Sequence, residues 1–208
     1  MKKLFATCTA LLFFATTALI SPAVAAPLSE EDKKDIARIE EYLKGITTMK
    51  ASFLQVNAEG GIAEGVFYMS RPGRARFEYF PPAQILVVAD GLWLVFHDKE
   101  LQETTRIPLS STPISVLLKE NPTLSGEVTV TSVEKDAGVL RVNLIDTEEP
   151  DEGGITLVFS LFPFELKKWL VTDPQGQTTS VTMSDQEFGG KFEAKLFTFF
   201  DEEYDRKN

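Results

Sequence analysis

The sequence predicts an α+β fold that is mostly β, in which one amphipathic helix precedes a long series of antiparallel strands. Apolar residues recur every three or four positions up to Met49 and at alternate positions beyond it. Turn-forming pairs such as Asp90-Gly91 then follow at intervals of about 8–12 residues. Strands this closely spaced leave no room for the crossovers that parallel strands need. The strands therefore form an antiparallel meander, as in a sandwich or a barrel.

The first 25 residues have the pattern of a secretory signal peptide. Lys2 and Lys3 precede an apolar run that extends to Ile20, and Ser21–Ala25 carries the small residues of an A-x-A cleavage site. The alternative is a membrane anchor, but the run is too short and too rich in threonine for a span of about 20 residues. We therefore predict cleavage after residue 25, export, and a single soluble domain over residues 26–208.

The composition excludes several classes of function. The chain has 21 Lys and Arg against 31 Asp and Glu, and only one Cys and one His. This excess of acid argues against a nucleic-acid partner, whose phosphates need a basic surface. A single Cys and a single His leave almost nothing for a His/Cys metal site or for a Cys–His nucleophile pair. Removal of residues 1–25 leaves a net charge of −12 and no cysteine, so the stability of the exported protein must come from its core.

The N-terminal helix is predicted from its cap and its apolar stripe. Ser29, with Asp32 three residues later, has the pattern of a capping box. Apolar residues then follow at spacings of three and four, which places them on one face of the helix: Ile36, Ile39, Leu43, Ile46 and Met49. We expect this face to point toward the core.

The predicted strands form two groups, and short turn signals separate the strands within each group. The first group comprises residues 51–58, 62–70, 74–80, 84–89, 92–97 and 101–106. The second group comprises residues 126–135, 138–146, 154–161, 164–173, 177–186 and 197–200.

A short apolar helix is predicted between the two groups of strands. Thr112 as cap and Pro113 at the first helical position indicate its start, and Asn121-Pro122 indicates its end. This helix would lie on a face of the sheet or across its opening.

The sequence contains little that could carry catalysis. His97 has no second His and no Cys beside it in the predicted strands, and a surface histidine explains it. Acidic residues cluster in turns, such as Glu148–Glu152, where solvated loops explain them better than a carboxylate pair for glycoside hydrolysis does. The G-x-S-x-G, phosphate-loop and H-E-x-x-H motifs are missing. We therefore expect a protein that is not an enzyme and that needs no cofactor or metal.

The most informative remaining feature of the sequence is the apolar character of its strands. Nearly every position of residues 84–97 is apolar, whereas a sheet with one wet face would alternate. Thirteen phenylalanines lie beyond residue 25. Two explanations remain open. Either helices pack on a curved sheet in a two-layer fold, or one face of the sheet lines a hydrophobic cavity for an apolar ligand.

The stretch 51–118 resembles the LolA family of periplasmic carriers of outer-membrane lipoproteins. The resemblance lies in an ordered set of short motifs: Ala51-Ser52-Phe53-Leu54-Gln55, Glu64-Gly65-Val66-Phe67, Arg71-Pro72-Gly73-Arg74, Phe77-Glu78-Tyr79, Ile85-Leu86-Val87-Val88-Ala89-Asp90-Gly91, Pro108-Leu109-Ser110-Ser111-Thr112-Pro113 and Leu117-Leu118. Residues 119–208 match more loosely, in their strand spacing and in Phe197-Thr198-Phe199. Because well-known members continue past that strand with a further segment, the resemblance is to a shorter-tailed branch.

The resemblance implies an incomplete antiparallel β-barrel that a lid of short helices closes. The acyl chains of a lipoprotein would lie in the hollow. An inner-membrane lipoprotein-releasing ABC transporter would deliver the cargo to this monomeric protein, and an outer-membrane acceptor would receive it. Within the family the Arg of the Arg-Pro pair reaches toward the lid and helps to hold it shut, and here that residue is Arg71. Its five N–H donors suit the exposed carbonyls at a helix end.

Strand parity and the family match together predict which side chains face the hollow. Phe67 and Met69 share the face of Arg71, and the match adds residues from neighbouring strands, from the lid and from the first helix. The predicted acyl-binding set is Ile39, Leu43, Ile46, Phe53, Phe67, Met69, Ala75, Phe77, Tyr79, Val87, Ile114, Leu117 and Leu118.

Two other functions remain open at this stage. One is a LolA-like sensor that binds lipid or lipoprotein and reports envelope stress. The other is an envelope structural module with a filled core, which predicts neither a ligand cavity nor movement of a lid.

Overall fold

The computed structural model describes residues 27–200. The predicted signal peptide and the acidic residues 201–208 lie outside the described residues. The first half contains α1 (Glu30–Lys44), β1 (Thr48–Val56), β2 (Ile62–Ser70), β3 (Arg74–Tyr79), β4 (Ile85–Asp90), β5 (Trp93–Asp98) and β6 (Glu103–Pro108). A 3-10 helix (Leu109–Ser111) and α2 (Ser115–Leu118) follow. The second half contains β7 (Val128–Asp136), β8 (Val139–Asp146), β9 (Gly154–Leu161), β10 (Phe164–Thr172), β11 (Thr178–Phe188) and a 3-10 helix (Ala194–Phe197). Neither α-helix of this described part is long and apolar enough to cross a membrane.

The eleven strands form one antiparallel sheet in the order β6-β5-β4-β3-β2-β1-β11-β10-β9-β8-β7. Each half is a meander, and the pairing of β1 with β11 joins the two halves, with Phe53 opposite Met183. Strands β6 and β7 lie at the two edges of the sheet and do not pair with each other. The sheet is therefore open, which confirms the predicted incomplete antiparallel barrel.

Helix α1 begins at the predicted capping box. The backbone N–H of Asp32 donates to Ser29 Oγ at 3.1 Å, and the N–H of Ser29 donates to Asp32 Oδ2 at 2.8 Å. The helix ends at Lys44, with Gly45 as its cap. The predicted stripe was too long, since Ile46 follows the helix and Met49 lies in β1. Met49 fits the helical spacing of the stripe and also the alternate spacing of a strand, because it begins the alternation of buried residues along β1.

Loss of the capping box should destabilise α1 in a pH-dependent way. Hydrogen bonds from Ser29 hold the pKa of the Asp32 carboxyl below its usual value. A lowered carboxyl pKa stabilises the fold above about pH 4, and the contribution is lost as pH falls through the folded-state pKa. We expect Ser29→Ala to lower the thermal midpoint by about 2–4 °C at pH 7, a typical effect of a lost cap in a domain of this size. The difference should shrink as the pH falls through the lowered pKa of Asp32, and Ser29→Thr, which keeps the hydroxyl, should match the wild type in the same melts.

One face of the sheet, the inner face, carries the main core. Residues at alternate positions of the strands are buried there, such as Phe67 and Met69 of β2 and Ala75 and Phe77 of β3. Two elements pack on this face. One is α1, and the other is the connection between β6 and β7, residues 109–127, which we name the bridging segment.

The bridging segment contains less helix than the sequence predicted. Helix α2 covers only Ser115–Leu118, and its N-cap residue is Ile114. The prediction that Thr112 caps this helix was wrong. Its hydroxyl and its backbone N–H both donate to the carbonyl of Leu109, at 2.7 and 3.1 Å, and so close the preceding 3-10 turn. Helix α2 also ends at Leu118, before the predicted stop.

The prediction of a strand over residues 197–200 was also wrong. Residues 194–197 form a 3-10 helix, and the residues that follow up to 200 pair with no strand. Phe197 is buried against the outer face of β3 and β4, and Arg76 Nη1 donates to the carbonyl of Leu196 at 3.1 Å. The alternation of Phe197, Thr198 and Phe199 therefore reflects packing on a sheet and not pairing within it.

This C-terminal segment explains why residues 84–97 are apolar on both faces. Ala89 is buried on the inner face, whereas Val88 and Val95 are buried on the outer face. The ring of Phe199 lies 5.0 Å from that of His97 on the same outer face. Around Val88, Ala89 and Val95, both faces of the sheet are therefore covered.

Candidate functional site

The structure brings all thirteen residues of the predicted acyl-binding set together on the inner side of the sheet. Eleven of them are buried in a single hydrophobic cluster, and Tyr79 and Val87 are partly buried against that cluster. Their pairing agrees with a common face, since Phe67 lies opposite Phe77 and Phe77 lies opposite Val87. From the bridging segment, Leu117 and Leu118 close the cluster over the sheet.

Aromatic rings form the centre of this interior. The ring of Phe67 lies 4.6 Å from Phe77 and 5.6 Å from Trp169. Phe53 contacts Phe77 at 5.5 Å and Tyr79 at 5.0 Å, both edge-on. These contacts join β1, β2, β3 and β10 around one point, and edge-on aromatic pairs add stability beyond the area that they bury.

The second meander supplies a further part of the interior, which the sequence patterns did not indicate. These residues are buried and lie on the same face: Leu140, Val142, Leu144, Ile155, Leu157, Phe159, Leu166, Trp169, Val181 and Met183. In β8 and β9, alternate residues are apolar and buried, so counting positions identifies the inner face. In β10, a register shift between Leu166 and Lys168 interrupts this alternation. Trp169 could therefore not have been assigned to a face by counting alternate positions.

Arg71 connects three elements at the edge of this interior. Its Nε donates to the carbonyl of Leu117 in α2 at 2.7 Å, and its Nη1 donates to the carbonyl of Ile46 at 2.7 Å and also to that of Leu43. The guanidinium therefore satisfies carbonyls at the C-terminal end of α1 and in α2 at once. Burial lowers the pKa of Arg71 to about 10, so the group is still charged at neutral pH.

The turn between β2 and β3 places Arg71 and also contacts α2 directly. The backbone N–H of Arg71 donates to Thr47 at 2.8 Å, and that of Gly73 donates to the carbonyl of Leu118 at 2.7 Å. Gly73 has a φ of +72°, and a Cβ there would lie 2.8 Å from the Cα of Gly91. Only glycine fits this close approach without strain, so the turn requires it.

The phenol of Tyr79 is a hydrogen-bonded polar group at the interior. Tyr79 Oη donates to Gln55 Oε1 at 2.8 Å, and burial raises the pKa of its phenol to about 12. His97 lies on the outer face of β5, where its Nδ1 is 3.0 Å from Thr104 Oγ1. Among residues 27–200, no group of three or more His, Cys, Asp and Glu side chains is placed to hold a metal ion. The arrangement can bury an apolar ligand, and its chemistry offers no nucleophile paired with a base.

The bridging segment covers the centre of the apolar interior. Leu117 is 5% exposed and Leu118 is 1% exposed, and both pack against the same cluster as Phe67. Acyl chains and these leucines would therefore compete for the same apolar surface.

Sequence comparisons with known proteins identify one family. The family model described as outer membrane lipoprotein carrier protein LolA matches residues 44–200. An outer-membrane lipoprotein carrier protein of Methylococcus capsulatus is 28% identical over 181 residues, which cover 82% of this chain and 86% of the relative. A protein of the same name from Legionella pneumophila strain Corby is 31% identical over 174 residues, or 77% and 83% of the two chains. Among solved structures, a LolA superfamily protein from Nitrosomonas europaea has a TM-score of 0.43 and 10% identity, with 79% and 97% of the two chains covered.

Proposed function

The chain belongs to the LolA family of outer membrane lipoprotein carrier proteins, and we propose that it is a periplasmic chaperone that carries lipoproteins from the inner to the outer membrane. The observation that carries this proposal is the placement of the thirteen predicted residues. They form one apolar interior beneath a segment to which the partly buried Arg71 donates a hydrogen bond. The acyl chains of the cargo would occupy this interior.

The energetics of acyl binding suit an open sheet. Burial of each methylene contributes about 0.8 kcal/mol, so complete enclosure of a long chain would bind too tightly for release. Strands β6 and β7 leave the sheet open at its edges, and inner-face residues near one edge are exposed, such as Phe96 at 41% and Ile107 at 43%. Incomplete enclosure would allow the protein to pass its cargo on.

In this proposal the bridging segment is the lid and Arg71 is its latch. A hydrogen bond to a charged group contributes about 1.5–3 kcal/mol to stability. A few such bonds can close the empty protein and still yield when acyl chains displace Leu117 and Leu118 from the interior. The contacts of Arg71 with both α1 and α2 support this role.

The proposed partners lie at the two ends of the route that the cargo would take. Acylated lipoproteins are embedded in the inner membrane, so an ABC transporter there would have to deliver them, and an acceptor at the outer membrane would take them over. The carrier itself performs no bond chemistry, which agrees with an interior lined by aliphatic and aromatic side chains. Export through a signal peptide cleaved after residue 25 would place the chain in the periplasm as a single domain.

Release of a triacylated lipoprotein from spheroplasts tests the proposal. Spheroplasts that express the lipoprotein are incubated with buffer or with purified residues 26–208, and the supernatant is analysed by immunoblotting and gel filtration. We expect lipoprotein in the supernatant only with the protein present, in a one-to-one complex. If the lipoprotein stays in the membrane in both incubations, the carrier proposal is wrong, and the structural-module alternative, which needs no moving lid, gains support.

A further inference from the structure

We propose that Glu40 is a second positioning residue for the bridging segment and that it holds the C-terminal half of this segment independently of Arg71. The inference rests on the proposed function only in calling the segment a lid. Its structural content, a second closure at a different site, does not depend on the cargo.

The contact itself joins α1 to a distant part of the chain. The backbone N–H of Leu124 donates to Glu40 Oε1 at 2.8 Å. Glu40 Oε2 lies 3.9 Å from Lys44 Nζ, and the Glu40 side chain is only 21% exposed. A carboxylate that accepts from a backbone N–H in a partly buried position makes one of the stronger classes of hydrogen bond. Since Leu124 lies within the bridging segment, Glu40 ties this segment to α1.

The residue that Glu40 holds separates two apolar spaces. Leu124 is 3% exposed and belongs to the buried cluster of the interior. It also lines a groove of about 570 Å³ between α1 and the start of β7. The other apolar side chains along this groove are Leu28, Ile36, Ala37, Val128 and Val130. Displacement of Leu124 would therefore join this groove to the interior and create an opening distinct from the one that Arg71 closes.

An ion pair closes the part of the bridging segment that contains Leu124. Lys119 Nζ and Glu127 Oε2 form an ion pair at 2.6 Å, which ties together the two ends of the stretch that contains Leu124. Arg71 contacts the bridging segment earlier in the chain, at Leu117. The two holding points are therefore separated by Lys119, where the backbone is extended and the helix has ended. The two halves of the lid can thus open separately.

Hydrogen exchange at the Leu124 amide tests the contact directly, since this amide is the donor. We would compare wild type with Glu40→Ala, Glu40→Gln and the matched control Glu41→Ala, which removes an exposed acid from the same helix. We expect exchange at Leu124 to be about tenfold faster in Glu40→Ala, because loss of a hydrogen bond to a charged acceptor favours opening by at least that factor. Glu40→Gln keeps an acceptor oxygen and should show a smaller increase, and Glu41→Ala should match wild type.

Two readouts separate a positioning role from a general loss of stability. Exchange at Leu157, which is fully buried in β9, should not change in Glu40→Ala, and Arg71→Leu should not accelerate exchange at Leu124 by more than about twofold. Unchanged exchange at Leu124 in Glu40→Ala, or equal acceleration at Leu124 and Leu157, would overturn the proposal. These measurements use the empty protein. A failure of lipoprotein release in spheroplasts would therefore refute the carrier function and leave the second closure intact.

Discussion

The Arg71→Leu variant should retain bound lipoprotein about tenfold longer than the wild type. Arg71 donates to the carbonyls of Leu43, Ile46 and Leu117 when the bridging segment covers the interior. Acyl chains would displace this segment, so these bonds stabilise only the empty, closed protein. Their loss removes at least one contribution of about 1.5–3 kcal/mol from the closed state. A difference of 1.4 kcal/mol changes an equilibrium constant by a factor of ten. The equilibrium between the empty and the loaded protein should therefore shift toward the loaded protein by that factor or more.

Transfer of a radiolabelled lipoprotein from the purified complex to outer-membrane vesicles measures this effect. Arg71→Lys should behave nearly like Arg71→Leu, because one ammonium group cannot reproduce the planar fork that reaches α1 and α2 together. Arg74→Leu removes a neighbouring arginine at the start of β3 and serves as the matched control. Equal release rates for wild type and Arg71→Leu would keep the carrier function and refute the latch.

Replacement of Phe67 by alanine should lower the free energy of unfolding by about 3–5 kcal/mol. Phe67 is 2% exposed, and its ring contacts both Phe77 and Trp169, so truncation leaves a cavity between β2, β3 and β10. The two halves of the sheet meet at this point. We therefore expect a large effect on the whole domain, measured by urea or guanidinium unfolding followed by tryptophan fluorescence.

Two variants show whether this cost is specific to the interior. Phe80→Ala removes the same side chain from a half-exposed position between β3 and β4 and should change stability by no more than about 0.5 kcal/mol. Phe67→Leu keeps most of the volume and should cost less than about 1.5 kcal/mol, which leaves a folded protein for the lipoprotein assay. A loss of less than 1 kcal/mol in Phe67→Ala would show that the centre of the interior is not closely packed.

Local rules in the sequence predicted most of the strands. Ten of the eleven strands that the structure contains begin and end within two residues of the positions expected from alternation and turn residues, as β9 does at both of its ends; β1 instead begins three residues early. The start of α1 at Ser29 followed equally well, because a capping box is made by residues three positions apart. The face of β2 followed from parity with Arg71, since a strand without a bulge cannot change its alternation, and the face of β3 followed from the family match.

The sequence predictions failed where a competing partner decided the outcome. Thr112 has the right chemistry for an N-cap, but its hydroxyl donates to the carbonyl of Leu109 instead. The Phe197–Phe199 alternation has the period of a strand, but its rings pack on the outer face of the sheet. No pattern in the sequence singles out Glu40, and the tertiary structure brings it to the amide of Leu124.

Patterns within the chain were enough to predict the mostly β architecture, the first helix, the family, and the inner-face residues of β2 and β3. These depend on neighbours along the chain or on short motifs, which a single sequence contains in full. The tertiary structure alone decided that β1 pairs with β11, that Trp169 completes the aromatic centre, and that the bridging segment is tied down at both Arg71 and Glu40. Each of these contacts joins residues far apart in the chain, and their geometry exists only once the sheet has formed, because no local preference specifies which distant groups will meet.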